Sequence, residues 1–162
     1  MKLDVEPLSP EAFAPFGDVI ETEGAAHYSI NEGTAERFHD LARIDIGNEG
    51  GRPVVSIVIG QPRPKPITIR MMERHPLGSQ AFIPLQSRQY LVVVGDAPLS
   101  GHLRAFLAKG SQGVNYHRNV WHHPLLVLER DSRFLVIDHG GDGGNLEEAT
   151  LSEPVYLSKI SC

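Results

Sequence analysis

Residues 66–84 read PITIRMMERHPLGSQAFIP. The first seven are rich in apolar and β-branched residues with no helical period, so PITIRMM reads as a strand opened by a proline. Side chains alternate faces along a strand. That rule puts Ile67, Ile69, Met71, Glu73 and His75 on one face, and Thr68, Arg70, Met72 and Arg74 on the other. The apolar, inward face thus runs directly into a glutamate and a histidine. A buried carboxylate is costly unless it is paired or hydrogen-bonded, so the pattern marks a site at the end of a core strand. The alternative is a strand that stops at Met72, with 73–75 a solvated turn. Gly78 then marks a turn, and Gln80 opens the next strand, placed to face His75 across the hairpin.

The same reading extends over most of the chain. VVSIVIG (54–60), AFIPL (81–85), QYLVVVG (89–95), HLRAFLA (102–108), HPLLVLE (123–129), RFLVIDH (133–139) and EPVYLSK (153–159) are short, apolar and punctuated by turn residues. Sixteen glycines and twelve prolines supply those turns. Strands spaced about 8–12 residues apart predict an all-β sandwich or barrel. The runs LVVV and PLLVL predict strands covered on both faces, as where a barrel wall also meets a second subunit. Helical signals are few. Ser9-Pro10-Glu11 reads as an N-cap and first turn, with Gly17 as the stop. A second short helix is expected near 33–40. GGDGGN (140–145) opens no helix and carries one carboxylate, so it reads as a plain connector. With no repeat and no linker, one domain over 1–162 is expected.

A second stretch gathers polar chemistry: GVNYHRNVWHHPL (113–125) holds His117, His122, His123, Arg118, Tyr116 and the chain's only tryptophan, Trp121. Adjacent His122 and His123 point opposite ways in a strand, so one of them enters a site and the other packs. Trp121 reads as a wall or anchor. Glu73, His75, Gln80 and His122 are the candidate ligands for a divalent metal, although glutamine is a weak ligand where a carboxylate is typical.

Composition narrows the function classes. The hydrophobic fraction is 41%, the charged fraction 22% and the formal net charge −5. That balance argues against a protein built to hold nucleic acid. No apolar run approaches the roughly 20 residues that span a bilayer, and no signal-peptide core opens the chain. The single cysteine, Cys162, rules out a disulfide framework and fits a cytoplasmic setting. Serine-hydrolase, P-loop and dinucleotide fingerprints are absent, so no organic cofactor is expected.

ERHPLGSQAFIP (73–84) and GVNYHRNVWHHP (113–124) resemble the ureidoglycolate lyase family, called ureidoglycolate hydrolase in older usage. PLSPEAFAPFGDVIE (7–21), INEG (30–33), ERFHDL (36–41) and LRAF (103–106) resemble it as well, so the likeness runs from residue 3 to about 142. The resemblance implies a cupin: a small antiparallel β-barrel (a double-stranded β-helix, or jelly roll) with one or two short helices, paired as a homodimer. It implies cleavage of (S)-ureidoglycolate to glyoxylate and urea in the use of allantoin and purines as nitrogen source. Cupin spacing places the metal ligands at Glu73, His75, Gln80 and His122, with nickel or zinc the candidate ion. Glu73 thus stands for a histidine and Gln80 for the usual glutamate.

That reaction needs a base for the hydroxyl proton, an acid for the leaving nitrogen and a cation for the carboxylate. His75 or His122 is the expected base, with Glu73 orienting it or sharing the proton. Tyr116 or His117 is the expected acid. Arg118, Arg74 or Arg104 holds the carboxylate, Gln80 binds the ureido group and Trp121 lines the pocket. Two other functions fit a barrel of this kind: a metal-dependent cupin hydrolase or isomerase on another small acid, and a non-catalytic small-acid binder.

Overall fold

A computed structural model describes residues 1–47 and 50–158. Cys162 and the last residue of the EPVYLSK run, Lys159, lie outside the described residues. The elements run β1 (Lys2–Leu3), β2 (Val5–Pro7), α1 (Pro10–Phe13), β3 (Gly17–Ile20), β4 (His27–Ile30), β5 (Ala35–Phe38), β6 (Arg52–Gly60), β7 (Thr68–Arg74) and β8 (Gln80–Pro84). They continue with β9 (Tyr90–Gly95), β10 (Leu103–Ala108), β11 (Gly113–Tyr116), β12 (Trp121–His122), β13 (Leu126–Val127), β14 (Ser132–Gly140) and β15 (Glu147–Leu157). The fold is all-β, as expected.

One sheet has the order β1-β15-β7-β12-β9-β10-β2, with β13 also on β9, and a second has β3-β11-β8-β14-β6. The facing sides of the two sheets share a core. Tyr90, Val92, Val94 and Phe106 come from the first sheet, and Phe82, Val114, Tyr116, Phe134 and Val136 from the second. Its rings meet edge to face, Tyr90 on Phe134 at 4.9 Å between centroids and Phe13 on Phe106 at 5.8 Å. Burying one such side chain contributes about 1.5–3 kcal/mol before entropy is counted.

The other face of the first sheet carries a second core, with Ile69, Met72, Leu91, Val93, Leu126 and Val155. The chain's first residues enclose it. β1 pairs with β15 and β2 with β10, and only Asp4 separates β1 from β2. The N-terminus therefore joins both edges of the first sheet and curls it into a nearly closed cupin-type barrel. Ser158 reinforces the join, accepting from the Val5 N–H at 3.2 Å and donating its own N–H to the Leu3 carbonyl at 2.8 Å.

The helix signal at Ser9 holds: its hydroxyl accepts from the Ala12 N–H, and α1 ends at Phe13. Gly17 opens a strand, where a Cβ would sit 1.9 Å from the Asn115 carbonyl. The helix expected over 33–40 is instead β5, one arm of a hairpin with β4. Positive φ angles at Asn31, Glu32 and Gly33 turn the chain back there, and His27 stacks on its cross-strand partner Phe38. HPLLVLE also shrinks, to the two residues of β13.

Strict alternation along 66–75 fails as well. Ile69 and Met72, three apart, enter the same core. The pairing of β7 with β15 slips between Thr150 and Val155, which inverts the phase near Arg70. Glu73 therefore lies on the face opposite Ile69, the one turned toward the second sheet. Its register partners His122 and, through β12, Val94 share that face.

Candidate active site

Glu73 on β7, His75 just beyond it and His122 on β12 offer ligand atoms that all lie within 4.8 Å of one another. They sit between the sheets. Tyr116 of β11 stacks on the His122 ring at 4.1 Å and 8°, and the two imidazoles are 5.2 Å apart. His122 is 1% exposed. Its Nδ1 donates to the Val120 carbonyl at 2.9 Å, which leaves Nε2 as the bare nitrogen. That Nε2 is buried without a hydrogen-bond partner and stands 3.5 Å from Glu73 Oε1.

His75 closes a polar chain. Its Nδ1 donates to the Asn145 carbonyl at 2.7 Å, and its Nε2 lies 3.1 Å from Gln80 Oε1. The Gln80 amide in turn donates to Asp138 Oδ2 at 3.2 Å. With Nδ1 already donating, the Gln80 contact is a hydrogen bond only when His75 carries both ring protons. Gln80 and Asp138 are register partners on β8 and β14, which fixes the chain on rigid strands. Asn145 also accepts the Leu77 N–H on its side chain at 2.8 Å, so it pins both ends of the segment that carries His75.

Charges at the site pull against burial. Burial alone would raise the Glu73 carboxyl, but His122, with His75 and His123 behind it, outweighs that and holds it below the ordinary value. Burial and the nearby Glu73 charge push the Tyr116 phenol well up, so it stays protonated. Burial pushes His123 down to about 4, against the pull of its bond to the Pro124 carbonyl and with help from Arg63.

The remaining sequence candidates lie elsewhere. His117 is half-exposed, with Nε2 3.2 Å from Asp18. Arg118 grips Asp45 through Nε, at 3.0 Å, and Nη2. Those bonds hold the Asp45 carboxyl below its usual range. Arg104 forks onto both oxygens of Glu6, at 2.9 and 3.0 Å, and reaches the Ala12 carbonyl. Arg74 bonds Glu147 at 2.6 Å and lies 4.6 Å over the Trp121 ring. Trp121 packs on the second core, so that pair belongs to the outer face of the sheet.

Sequence reasoning missed Asp138 and Asn145. Asp138 had a signal: Phe134, Val136 and Asp138 alternate, so an apolar face ends in a carboxylate there. Asn145, inside GGDGGN, had none.

A cupin-type barrel with a glutamate and two histidines converging between its sheets defines a small-molecule enzyme of that superfamily. The sequence profile described as ureidoglycolate lyase matches residues 1–158. A ureidoglycolate lyase of Burkholderia mallei is 57% identical over 159 residues, covering 96% of this chain and 93% of its own. One from Brucella anthropi is 58% identical over 156 residues (95% and 92%), and one from Stutzerimonas stutzeri 53% over 158 (96% and 93%). The chain belongs to the ureidoglycolate lyase family and is an enzyme of the lyase class.

Proposed function

We propose that this chain, as one domain over 1–162, splits (S)-ureidoglycolate into glyoxylate and urea in allantoin and purine nitrogen catabolism. The observation that carries the mechanism is the bare, buried Nε2 of His122 beside Glu73 and His75. His122 Nε2 takes the proton of the substrate hydroxyl. The O–H electrons become the aldehyde C=O, the C–N bond breaks, and the departing nitrogen takes a proton from His75 in its doubly protonated form. Glu73 steadies the positive charge that His122 acquires, and Tyr116 fixes the plane of its ring. Gln80 and Asp138 hold His75 in place.

The same donor set fits a divalent metal. Two imidazole nitrogens and a carboxylate converge, one nitrogen having no other partner, and Glu73, His75 and His122 would hold the ion. Nickel or zinc bound there would lower the pKa of the substrate hydroxyl. Gln80, engaged with His75 and Asp138, stands outside that set.

The test is the product. Urea, rather than ammonia and carbon dioxide, is expected from ureidoglycolate, with and without a chelator in parallel. His122→Ala, still folded, is expected to lose about 10²–10⁴ in kcat. Near-normal turnover in that variant would overturn the assignment.

We further propose a homodimer working in the cytoplasm. Strand β6 supports the dimer: it is an edge strand with exposed Val55, Ile57 and Ile59 on one face. One cysteine fits the reducing compartment. No helix among the described residues is long and apolar enough to cross a membrane.

A further inference from the structure

The substrate carboxylate needs a cation, and the three arginines near the sequence motifs are already bound to carboxylates of the chain itself. Arg118 is held by Asp45, Arg74 by Glu147 and Arg104 by Glu6. A cavity of about 250 Å³ is lined by Met71 and His123, two residues from Glu73 and one from His122 in the chain. Arg63, Thr68, Arg70, Met71 and His123 form its wall. Met71 and Glu73 face Thr150 and Glu148 in unbroken register, so the two side chains share a face. His123 directly follows His122 and carries electrostatic influence to Glu73. The cavity thus adjoins the cluster.

Two features make this cavity a receptor for an anion. Among the described residues, neither Arg63 nor Arg70 has a hydrogen-bond or ion-pair partner. Two guanidiniums sharing a hollow without an acid repel each other, and an anion between them relieves that repulsion. The third group is complementary. His123 is 2% exposed, and its Nδ1 donates to the Pro124 carbonyl at 2.7 Å. Its Nε2 is therefore a bare acceptor, buried without a partner. A ligand with a carboxylate and a nearby N–H or O–H satisfies all three groups.

We propose that Arg63 and Arg70 bind the carboxylate of the substrate in this cavity, with His123 Nε2 accepting from its ureido N–H, and so orient the reacting carbon toward His122 and Glu73. This subsite rests on the reaction proposed above for its choice of ligand. It accounts for selection of an acid over its amide, which the catalytic cluster alone does not supply.

The experiment compares wild type with Arg63→Gln, Arg70→Gln and the Arg63→Lys/Arg70→Lys double variant. The probes are ureidoglycolate turnover and calorimetric binding of oxalurate, an unreactive keto analogue, against its uncharged amide. Each Gln variant is expected to raise KM and weaken oxalurate by about 10–100-fold, with amide binding unchanged. The Lys pair is expected to recover part of the loss. Both arginines are exposed, so folding should survive, and circular dichroism checks it. Wild-type KM and oxalurate affinity in both Gln variants would overturn the subsite. If wild type releases no urea yet oxalurate binding still depends on Arg63 and Arg70, the subsite stands and the reaction falls.

Discussion

Neighbouring histidines in this chain do opposite things because their ring nitrogens meet different surroundings. His122 and His123 both donate through Nδ1 to a backbone carbonyl, at Val120 and Pro124. His122 faces a carboxylate 3.5 Å away, while His123 lies toward Arg63. Folded His123 stays neutral down to about pH 4, whereas the unfolded chain protonates it near 6.5. Above pH 6.5 neither state is charged, so His123 contributes nothing to the pH dependence. As pH falls from 6.5 to 4, the unfolded state gains a proton the folded state refuses. Stability should fall through that window by about 3 kcal/mol in all, and no further below it. Urea melts of wild type and His123→Asn at pH 5 and 7.5 check this. The variant keeps a donor for the Pro124 carbonyl and should narrow the gap between the two pH values by about 2 kcal/mol. An equal gap in both proteins would place the titrating group elsewhere.

Elements set how far these residues can move, and the GGDGGN turn matters more than its composition suggests. Asn145 holds His75 with its backbone carbonyl and Leu77 with its side chain. Asn145→Ala keeps the first bond and orphans the Leu77 N–H. The expected cost is about 1–3 kcal/mol in stability. kcat should fall more than KM rises, because the segment that carries His75 loses its hold at Leu77 while the proposed carboxylate subsite is untouched. A variant with wild-type kcat would show that the turn is only a connector. This contact could not be read from sequence, since a carbonyl bond over 70 residues leaves no local pattern. What was legible followed from period and punctuation. The central strands, the cap at Ser9 and the meeting of Glu73, His75 and His122, with Gln80 against His75, showed. The phase of 66–75 did not, because a slip against β15 some eighty residues away inverted it. The hairpin at 27–38 was hidden for a different reason. AERF suits a helix locally, and only the positive-φ turn at 31–33 makes it a strand.

The molecule as a whole closes one sheet edge and leaves another open. β1 and β2 cap the two ends of the first sheet, a long-range parallel pairing that short N-terminal residues could not announce. The second sheet ends in β6, nine residues long and paired only with β14. An edge strand offers unpaired N–H and C=O groups, and natural proteins blunt such edges with charges, bulges or a cover. β6 instead exposes Val55 at 65%, Ile57 at 54% and Ile59 at 50%. Arg52 and Pro53 blunt only its start, and the uncharged apolar run from 54 to 60 is explained if a second copy covers it. The apolar run at 54–60 is then an interface strand, whereas LVVV at 91–94, expected to be covered on both faces, is covered by the two cores of the chain itself. Gel filtration should therefore give a mass near twice 17.8 kDa. Ile57→Lys, paired with Ile59→Lys, should shift the protein to a single-chain mass with its circular dichroism intact, since both side chains already face solvent in the isolated chain. A wild-type mass near 17.8 kDa, or a dimer that survives both lysines, would remove β6 as the interface.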